Sequence, residues 1–492
     1  MAAEWTARGG RAPSIPGIPT DLYIGGSWVP SSSGARFPVV DPATEETVAS
    51  VANASIGDGL AAVLAATTAM AGWSARPPRD RAEVLRRAYE EILRERELLA
   101  RIITLENGKP RSDALAEVTY AAEFFRWYSE EAVRNLGQLS RAPSSGARIL
   151  VQHKPAGVAL LVTPWNYPLA MATRKIGPAL AAGCAVVVKP AAETPLTLLA
   201  LIPLLERAGV PAGVVNAIPT DNPSPLIAAL LDEGRVRVVS FTGSTAVGRV
   251  LIQAAAAKVV RPVMELGGNA PFVVFEDADV AAAVEGAMIA KMRNMGEACT
   301  AANRFLVHDT VKDEFSVRLT ERMAALKMGH GLEDGVSVGP LVHAKARDKV
   351  ATLVDDAVSK GARILTGGQR PSGKGFFYPP TVLGAVPLDA RVLREEVFGP
   401  VAPISSFADE ADAIRRANDT DFGLAAYVYT RDLRRGLRVC EQLDVGMVAL
   451  NRGMLSDPAA PFGGTKQSGL GREGAHEGLM EFVDTQYVSV EW

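Results

Sequence analysis

Residues 157–163 read Gly-Val-Ala-Leu-Leu-Val-Thr, and three further apolar runs follow: Ala185–Lys189 (AVVVK), Val214–Ile218 (VVNAI) and Val236–Phe241 (VRVVSF). Each is short, continuous and without polar alternation, the pattern of a strand buried on both faces. Helical segments lie between them, at Leu169–Ala182, Leu196–Ala208 and Pro225–Glu233. Buried strands alternating with helices predict a parallel, doubly wound α/β sheet with helices on both faces. Ligands of such sheets sit beyond the carboxyl ends of the strands. That expectation gathers Pro164-Trp165-Asn166, Lys189-Pro190 and Thr242-Gly243-Ser244 around one crevice.

The same rhythm restarts at Ala270. Strands are expected at Pro271–Phe275 and Arg304–His308, and helices at Val280–Arg293, Val311–Lys327 and Lys345–Lys360. Strand-like pieces follow at Ala362–Thr366 and Val401–Phe407, so a second α/β lobe faces the first across a cleft. Upstream, strand-like Leu22–Val29 and Ala35–Val40 precede long helical patterns over Asp58–Trp73, Asp80–Asn107 and Ser112–Leu136, with Asn107-Gly108 as a stop. Gln138–Lys154 reads as a hairpin around Pro143-Ser144-Ser145-Gly146. Residues 463–492 open as a Gly-rich loop and end in the extended strip Tyr487-Val488-Ser489-Val490.

Composition narrows the function classes. The chain has 492 residues, 48% hydrophobic and 22% charged, with 52 basic against 55 acidic side chains and a net charge of −3. That balance argues against nucleic acid as the main partner. No stretch reads as the 18 or more apolar residues of a membrane span, and the first nineteen residues lack the apolar core of a secretory signal. Three cysteines, Cys184, Cys299 and Cys440, are too few for a disulfide framework and fit a reducing cytoplasm. The five histidines show no metal-ligand spacing and there is no CxxC, so no metal site is expected.

The chemistry-bearing segments have bland readings beside functional ones. The Gly-x-Gly-x-x-Gly fingerprint is absent. Gly243–Gly248 has P-loop glycine spacing, but Arg249-Val250 stands where Lys and Ser/Thr are required, which rejects a Walker site. A strand running into Thr242-Gly243-Ser244 and a helix over Val247–Ala257 would still present backbone N–H groups to a phosphate; a plain glycine turn reads equally well. Cys299, in Gly296-Glu297-Ala298-Cys299-Thr300, has small polar neighbours. It fits an accessible nucleophile with a lowered pKa, or a small core residue, as Cys184 and Cys440 do. Glu265 ends an apolar strand, where desolvation would raise its pKa toward that of a general base; it would serve equally as a partner for Arg261. Asn166, between two prolines, either aims an amide donor at an oxyanion or belongs to a turn.

Seven segments in order, PWNYP, VVVKPAAETP, FTGSTAVG, MELGGNAP, NMGEACTAANR, EEVFGPV and PFGGTKQSGLGRE, resemble the aldehyde dehydrogenase superfamily over almost the whole chain from Leu22. The resemblance implies an aldehyde dehydrogenase-like fold of two doubly wound lobes with a β-hairpin oligomerisation arm. In that division residues 1–20 are an N-terminal arm, 21–136 and 156–268 the Rossmann-like cofactor domain, 269–462 the catalytic domain, and 137–155 with 463–492 the oligomerisation arm and tail. A homodimer or homotetramer is implied. So is a reaction: Cys299 attacks the aldehyde, Asn166 and the Cys299 N–H hold the oxyanion, hydride leaves, and Glu265 activates water against the resulting thioester. Glu396 and Phe398 then position the nicotinamide ribose, Gly243 and Ser244 meet the pyrophosphate, and Lys189 meets the adenosine ribose. Trp165, Phe241 and Leu266 complete the cofactor pocket.

The resemblance also carries specificity. NAD-preferring members place an acidic residue three positions after the strand-end lysine; here that position is Ala192, with Glu193 one later. Without a carboxylate to repel a 2′-phosphate and with Lys189 to attract it, NADP is expected to be preferred and NAD accepted. Arg174, Arg293 and Ser456 match the residues that hold the distal carboxylate in succinate-semialdehyde dehydrogenases, and arginine forks grip carboxylates bidentately. Succinic semialdehyde is therefore the expected substrate, in 4-aminobutyrate breakdown. Glutaric semialdehyde, one methylene longer, is the alternative. A fold relative that only binds, and a thiol hydrolase pairing Cys299 with His308, are the readings of other classes. Some members carry a second cysteine two residues after the nucleophile as a redox switch; here that position is Ala301, so no disulfide switch is expected at this loop.

Overall fold

The apolar runs around Gly157 form the middle of an eight-stranded sheet in the computed structural model, which describes residues 17–491. Its order is Ser27–Val29, Leu22–Ile24, Val215–Ala217, Val186–Lys189, Val158–Val162, Val236–Thr242, Arg261–Glu265 and Gly469–Leu470. The five central strands are parallel, and antiparallel strands close both edges. Strand order reverses at Val158–Val162, whose neighbours are Val186–Lys189 and Val236–Thr242. A crevice opens where such a reversal sends successive connections to opposite faces. The residues that follow these strand ends are Pro164-Trp165-Asn166 and Gly243-Ser244.

Helix Pro168–Ala182 leaves this crevice with all fifteen residues buried. It is packed between the sheet and helices Pro78–Arg94 and Arg111–Glu131. Arg174 and Lys175 therefore have to find partners inside the protein, which bears on the site below.

The second lobe is a seven-stranded sheet ordered Arg363–Thr366, Thr381–Gly384, Val401–Phe407, Ala302–His308, Ala270–Val274, Ala425–Tyr429 and Met447–Leu450. All its neighbours are parallel except the first pair. Stacked and tilted rings of Phe272, Phe305, Phe315, Tyr427 and Tyr429 fill its core. Cys299 sits three residues before Ala302–His308, at the amino end of that strand. His308, at the opposite end, is separated from it by the strand's length, roughly 20 Å. It bonds Thr310 and the Ala408 carbonyl instead, which overturns the Cys299–His308 hydrolase reading.

Several expectations change. The helix expected over Asp80–Asn107 is two, Pro78–Arg94 and Arg96–Asn107, broken at Glu95. Strands at Glu46–Ala52, Thr381–Gly384, Ala425–Tyr429 and Met447–Leu450 were not expected. The hairpin pairs Gln138–Arg141 with Arg148–Pro155, and Val483–Val490 adds a third strand. Of the tail 463–492, only that last strand joins the hairpin: Gly469–Leu470 closes the first sheet, and helix Ala475–Met480 packs against helices 168–182 and 111–131. The N-terminal arm expected over 1–20 lies outside the described residues up to position 16. Among the described residues Ile56–Ser74 is long and apolar enough to cross a membrane, contrary to the sequence reading. It buries Gly59, Ala62, Val63, Ala66 and Trp73, and the Trp73 indole donates to the Leu180 carbonyl.

Candidate active site

The loop after Val158–Val162 is held by groups from the helical region. Asn166 is buried; its Nδ2 donates to the Glu297 carbonyl at 2.9 Å, and its own carbonyl accepts from Lys109 Nζ at 2.7 Å and Asn294 Nδ2 at 2.9 Å. An amide carries two N–H bonds, so one remains for a ligand once Glu297 has fixed its orientation. Lys109 also bonds the Glu117 carboxylate, which accepts the Leu169 and Ala170 N–H groups at the start of helix 168–182. Asn107 Nδ2 donates to the Trp165 carbonyl at 3.2 Å. The Glu106-Asn107-Gly108-Lys109 segment, read above only as a helix stop, thus anchors Asn166. Its signal was three polar side chains beside a helix end that the structure buries completely.

The turn Arg293–Gly296 delivers Cys299 through left-handed backbone at Asn294 and Met295, both at φ 52°. Such φ values are unfavourable for ordinary side chains and persist only where surroundings impose them. Here Asp113 accepts the Asn294 N–H at 2.8 Å, and Asn294 Nδ2 bonds the Glu297 carbonyl at 3.0 Å. On the other side a Cβ at Gly268 would stand 2.4 Å from the Cys299 carbonyl, so only glycine fits there.

One cleft of about 450 Å³ is lined by Trp165, Asn166, Arg174, Gly243, Ser244, Leu266, Arg293, Cys299, Glu396, Phe398 and Ser456. Glu265, Lys189, Ala192 and Phe241 lie outside this lining. Phe241 instead packs beneath Gly243, where a Cβ would lie 2.4 Å from its ring. Lys189 pairs in register with Val162, one strand away from the cleft. The expected depression of the Cys299 pKa is also corrected: burial pushes the thiol up to about 12, Arg174 and Arg293 pull it down, and Glu396 and Glu265 oppose them. Without a further positive charge, desolvation wins.

Glu265 is 2% exposed, and neither carboxylate oxygen has a hydrogen bond. Burial, then the nearby Glu473 charge, raise it well above the usual carboxylate range; Lys175, Arg174 and Arg472 act in the opposite sense. Lys175 donates to Glu473 Oε1 and to Ser240 Oγ. Sequence reading missed Lys175 and Glu473, because only the helix's full burial reveals that their charges must meet.

The two arginines differ. Arg174 donates to the Tyr120 hydroxyl, stands 3.5 Å from Glu473 Oε2 and lies 4.1 Å over the Phe462 ring. Arg293 donates to Met454 Sδ and lies over the Tyr167 ring, with no carboxylate within 4.0 Å among the described residues. A guanidinium in a cleft without a counter-ion is suited to an anionic ligand.

The opposite part of the cleft suits a dinucleotide. Ser244 caps helix Thr245–Ala256 through the Val247 N–H, leaving first-turn N–H groups for an anion. Thr242 Oγ1, on the lining, is buried without a partner. Glu396 Oε1 accepts the Gly268 N–H at 2.9 Å, and the Trp165 and Phe398 rings meet edge-on at 5.3 Å. Lys189 is lowered to about 8 by burial, with Glu193 opposing. Among the described residues no group of three or more His, Cys, Asp or Glu is placed to hold a metal ion.

Residues 28–488 match the model of the aldehyde dehydrogenase family. The chain belongs to that family. It is 53% identical over 443 residues, 90% of this chain and 98% of the relative, to a succinate-semialdehyde dehydrogenase of Paenarthrobacter nicotinovorans. A glutarate-semialdehyde dehydrogenase of Pseudomonas putida is 45% identical over 95% of this chain and 97% of its own. The crystal structure of an Escherichia coli NADP dependent enzyme superposes with a TM-score of 0.95 at 44% identity, covering 96% of this chain and 98% of that one. The two-lobed α/β architecture read from the strand–helix rhythm is thus that of the family.

Proposed function

We propose that this protein is a succinate-semialdehyde dehydrogenase that oxidises its substrate to succinate and prefers NADP. The observation that carries the reading is Arg293, a cleft guanidinium without a carboxylate partner, in the same lining as Cys299, Asn166, Arg174 and Ser456. The relatives support it: one at 53% identity is a succinate-semialdehyde dehydrogenase, and the superposed Escherichia coli enzyme is NADP dependent.

In this reading the Cys299 thiol loses its proton to water in the cleft and adds as thiolate to the aldehyde carbon, and the free Asn166 N–H with the Cys299 backbone N–H receives the oxyanion. NADP would be held by Gly243, Ser244, Glu396 and Phe398, with Lys189 toward its adenosine end, and would supply the hydride acceptor that turns the adduct into a thioester. Glu265 takes a proton from water as the water oxygen bonds the acyl carbon. The carbon–sulfur bond then breaks and the sulfur leaves as thiolate. A carboxyl whose pKa is raised by burial is a stronger base than a solvated one, which suits this step. Ala192 leaves room for a 2′-phosphate near Lys189. The exposed three-stranded sheet, with Leu139 and Tyr487 at its surface, belongs to a homodimer or homotetramer, and the enzyme is cytoplasmic.

Comparing kcat/KM for succinic semialdehyde, glutaric semialdehyde and butanal with NADP and NAD tests the reading. Succinic semialdehyde with NADP should lead. Preference for the longer acid would favour the activity of the Pseudomonas putida relative, since one methylene is worth only about 1–3 kcal/mol. Preference for butanal would contradict carboxylate recognition.

A further inference from the structure

Four polar atoms without hydrogen bonds cluster behind the cleft: Arg174 Nε, Glu473 Oε2 and both oxygens of Glu265. Of these three residues Arg174 alone lines the cleft. One arm holds the Tyr120 hydroxyl; the other stands 3.5 Å from Glu473 Oε2, too long for a charge-assisted hydrogen bond. Glu473 is meanwhile bonded firmly through its other oxygen to Lys175. Arg174 is therefore half-engaged on Glu473, while its side chain also lines the cleft. A guanidinium has five N–H donors in a fork and can serve two carboxylates.

We propose that Arg174 is shared between the substrate's distal carboxylate and Glu473, and that the substrate's hold on it sets the charge facing Glu265. The inference rests on the acidic-aldehyde reading and deepens it. When a substrate carboxylate draws Arg174 into the cleft, Glu473 loses part of its counter-charge. Its field on Glu265 then strengthens. The groups acting on Glu265 are Glu473, Lys175, Arg174 and Arg472, with Cys299 across the site; Tyr128 and Glu481 face Glu473. Of these, Arg174 alone both pairs with Glu473 and lines the cleft. An acidic acyl group thus makes Glu265 a stronger base for its own hydrolysis, and a neutral one leaves the Arg174–Glu473 pair in place.

The test is the pH dependence of acyl-enzyme hydrolysis, read by rapid quench with succinic semialdehyde and with butanal. In the unaltered enzyme the acid-limb midpoint should lie higher for succinic semialdehyde by about one pH unit, the scale of one uncovered neighbouring charge. Glu473→Gln, which keeps shape and the Lys175 bond but removes the charge, should bring the two midpoints together. Arg174→Lys, with no fork to share, should do the same and replaces it if the glutamine variant does not fold. Coincident midpoints in the unaltered enzyme, or an undiminished difference in the variant, would overturn the sharing. A kcat/KM that fails to favour succinic semialdehyde over butanal would instead sink the acidic-aldehyde reading, so the two failures are distinguishable.

Discussion

Lys109 Nζ stands 2.7 Å from the Asn166 backbone carbonyl while bonded to Glu117, the carboxylate that receives the first N–H groups of helix Pro168–Ala182. One buried ion pair thus fixes both the oxyanion donor and the helix that brings Arg174 and Lys175 to the site. Both side chains are fully buried, so their value lies in geometry more than in net stability.

Lys109→Met leaves Glu117 buried and unpaired, which costs about 3–5 kcal/mol. Tm should fall, and kcat should drop about a hundredfold as the Asn166 amide loses its placement. Lys109→Met with Glu117→Gln removes the stranded charge while keeping an acceptor for the helix N–H groups. Thermal unfolding should show much of the lost Tm returning and steady-state kinetics should not; recovery of both together would contradict a positioning role.

Arg293→Ala removes a guanidinium that forms no ion pair among the described residues and is only one of two cations, with Lys109, acting on Asp113, so Tm should fall little. A lost charge-assisted contact of about 1.5–3 kcal/mol raises KM for succinic semialdehyde roughly ten- to hundredfold and spares butanal. Arg174→Ala uncovers Glu473 as well and should lower Tm in addition to raising KM. Equal KM losses on the charged and neutral aldehydes would count against carboxylate binding.

Lys189, lowered to about 8 by burial, is charged below that pH and neutral above it. If its ammonium holds the 2′-phosphate, NADP affinity is complete below about pH 8 and weakens by up to about tenfold per unit above it. NAD affinity should change far less. Fluorescence titration of both cofactors across this range checks the point, and a constant NADP-to-NAD ratio contradicts it. Ala192→Glu should move the preference toward NAD by the same charge argument.

The first lobe was legible because its strands are continuous apolar runs, and PWNYP, GEAC and EEVFGP mark loops that fold into one cleft. Less of the second lobe could be read. Ala425–Tyr429 and Met447–Leu450 are only five and four residues long, and Ala425–Tyr429 joins the sheet through Ala270–Val274, far earlier in the chain. The split at Glu95 breaks a helix without Gly or Pro, so periodicity ran through it. Lys109, Glu117, Lys175 and Glu473 were not legible as site supports, since each has the composition of an ordinary surface charge; only burial between layers turns them into obligatory pairs. Cys299 is half-buried on the cleft lining, as its small polar neighbours suggested, but the desolvation that raises its pKa comes from residues distant in sequence and could not be read there.

The most direct measurement of the central claim is mass spectrometry of a Glu265→Gln variant after a single exposure to succinic semialdehyde and NADP. With the base removed, hydrolysis stalls, and the expected result is a succinyl thioester confined to Cys299. A bare Cys299 after cofactor reduction, or acylation at Cys184 or Cys440 instead, would contradict the account.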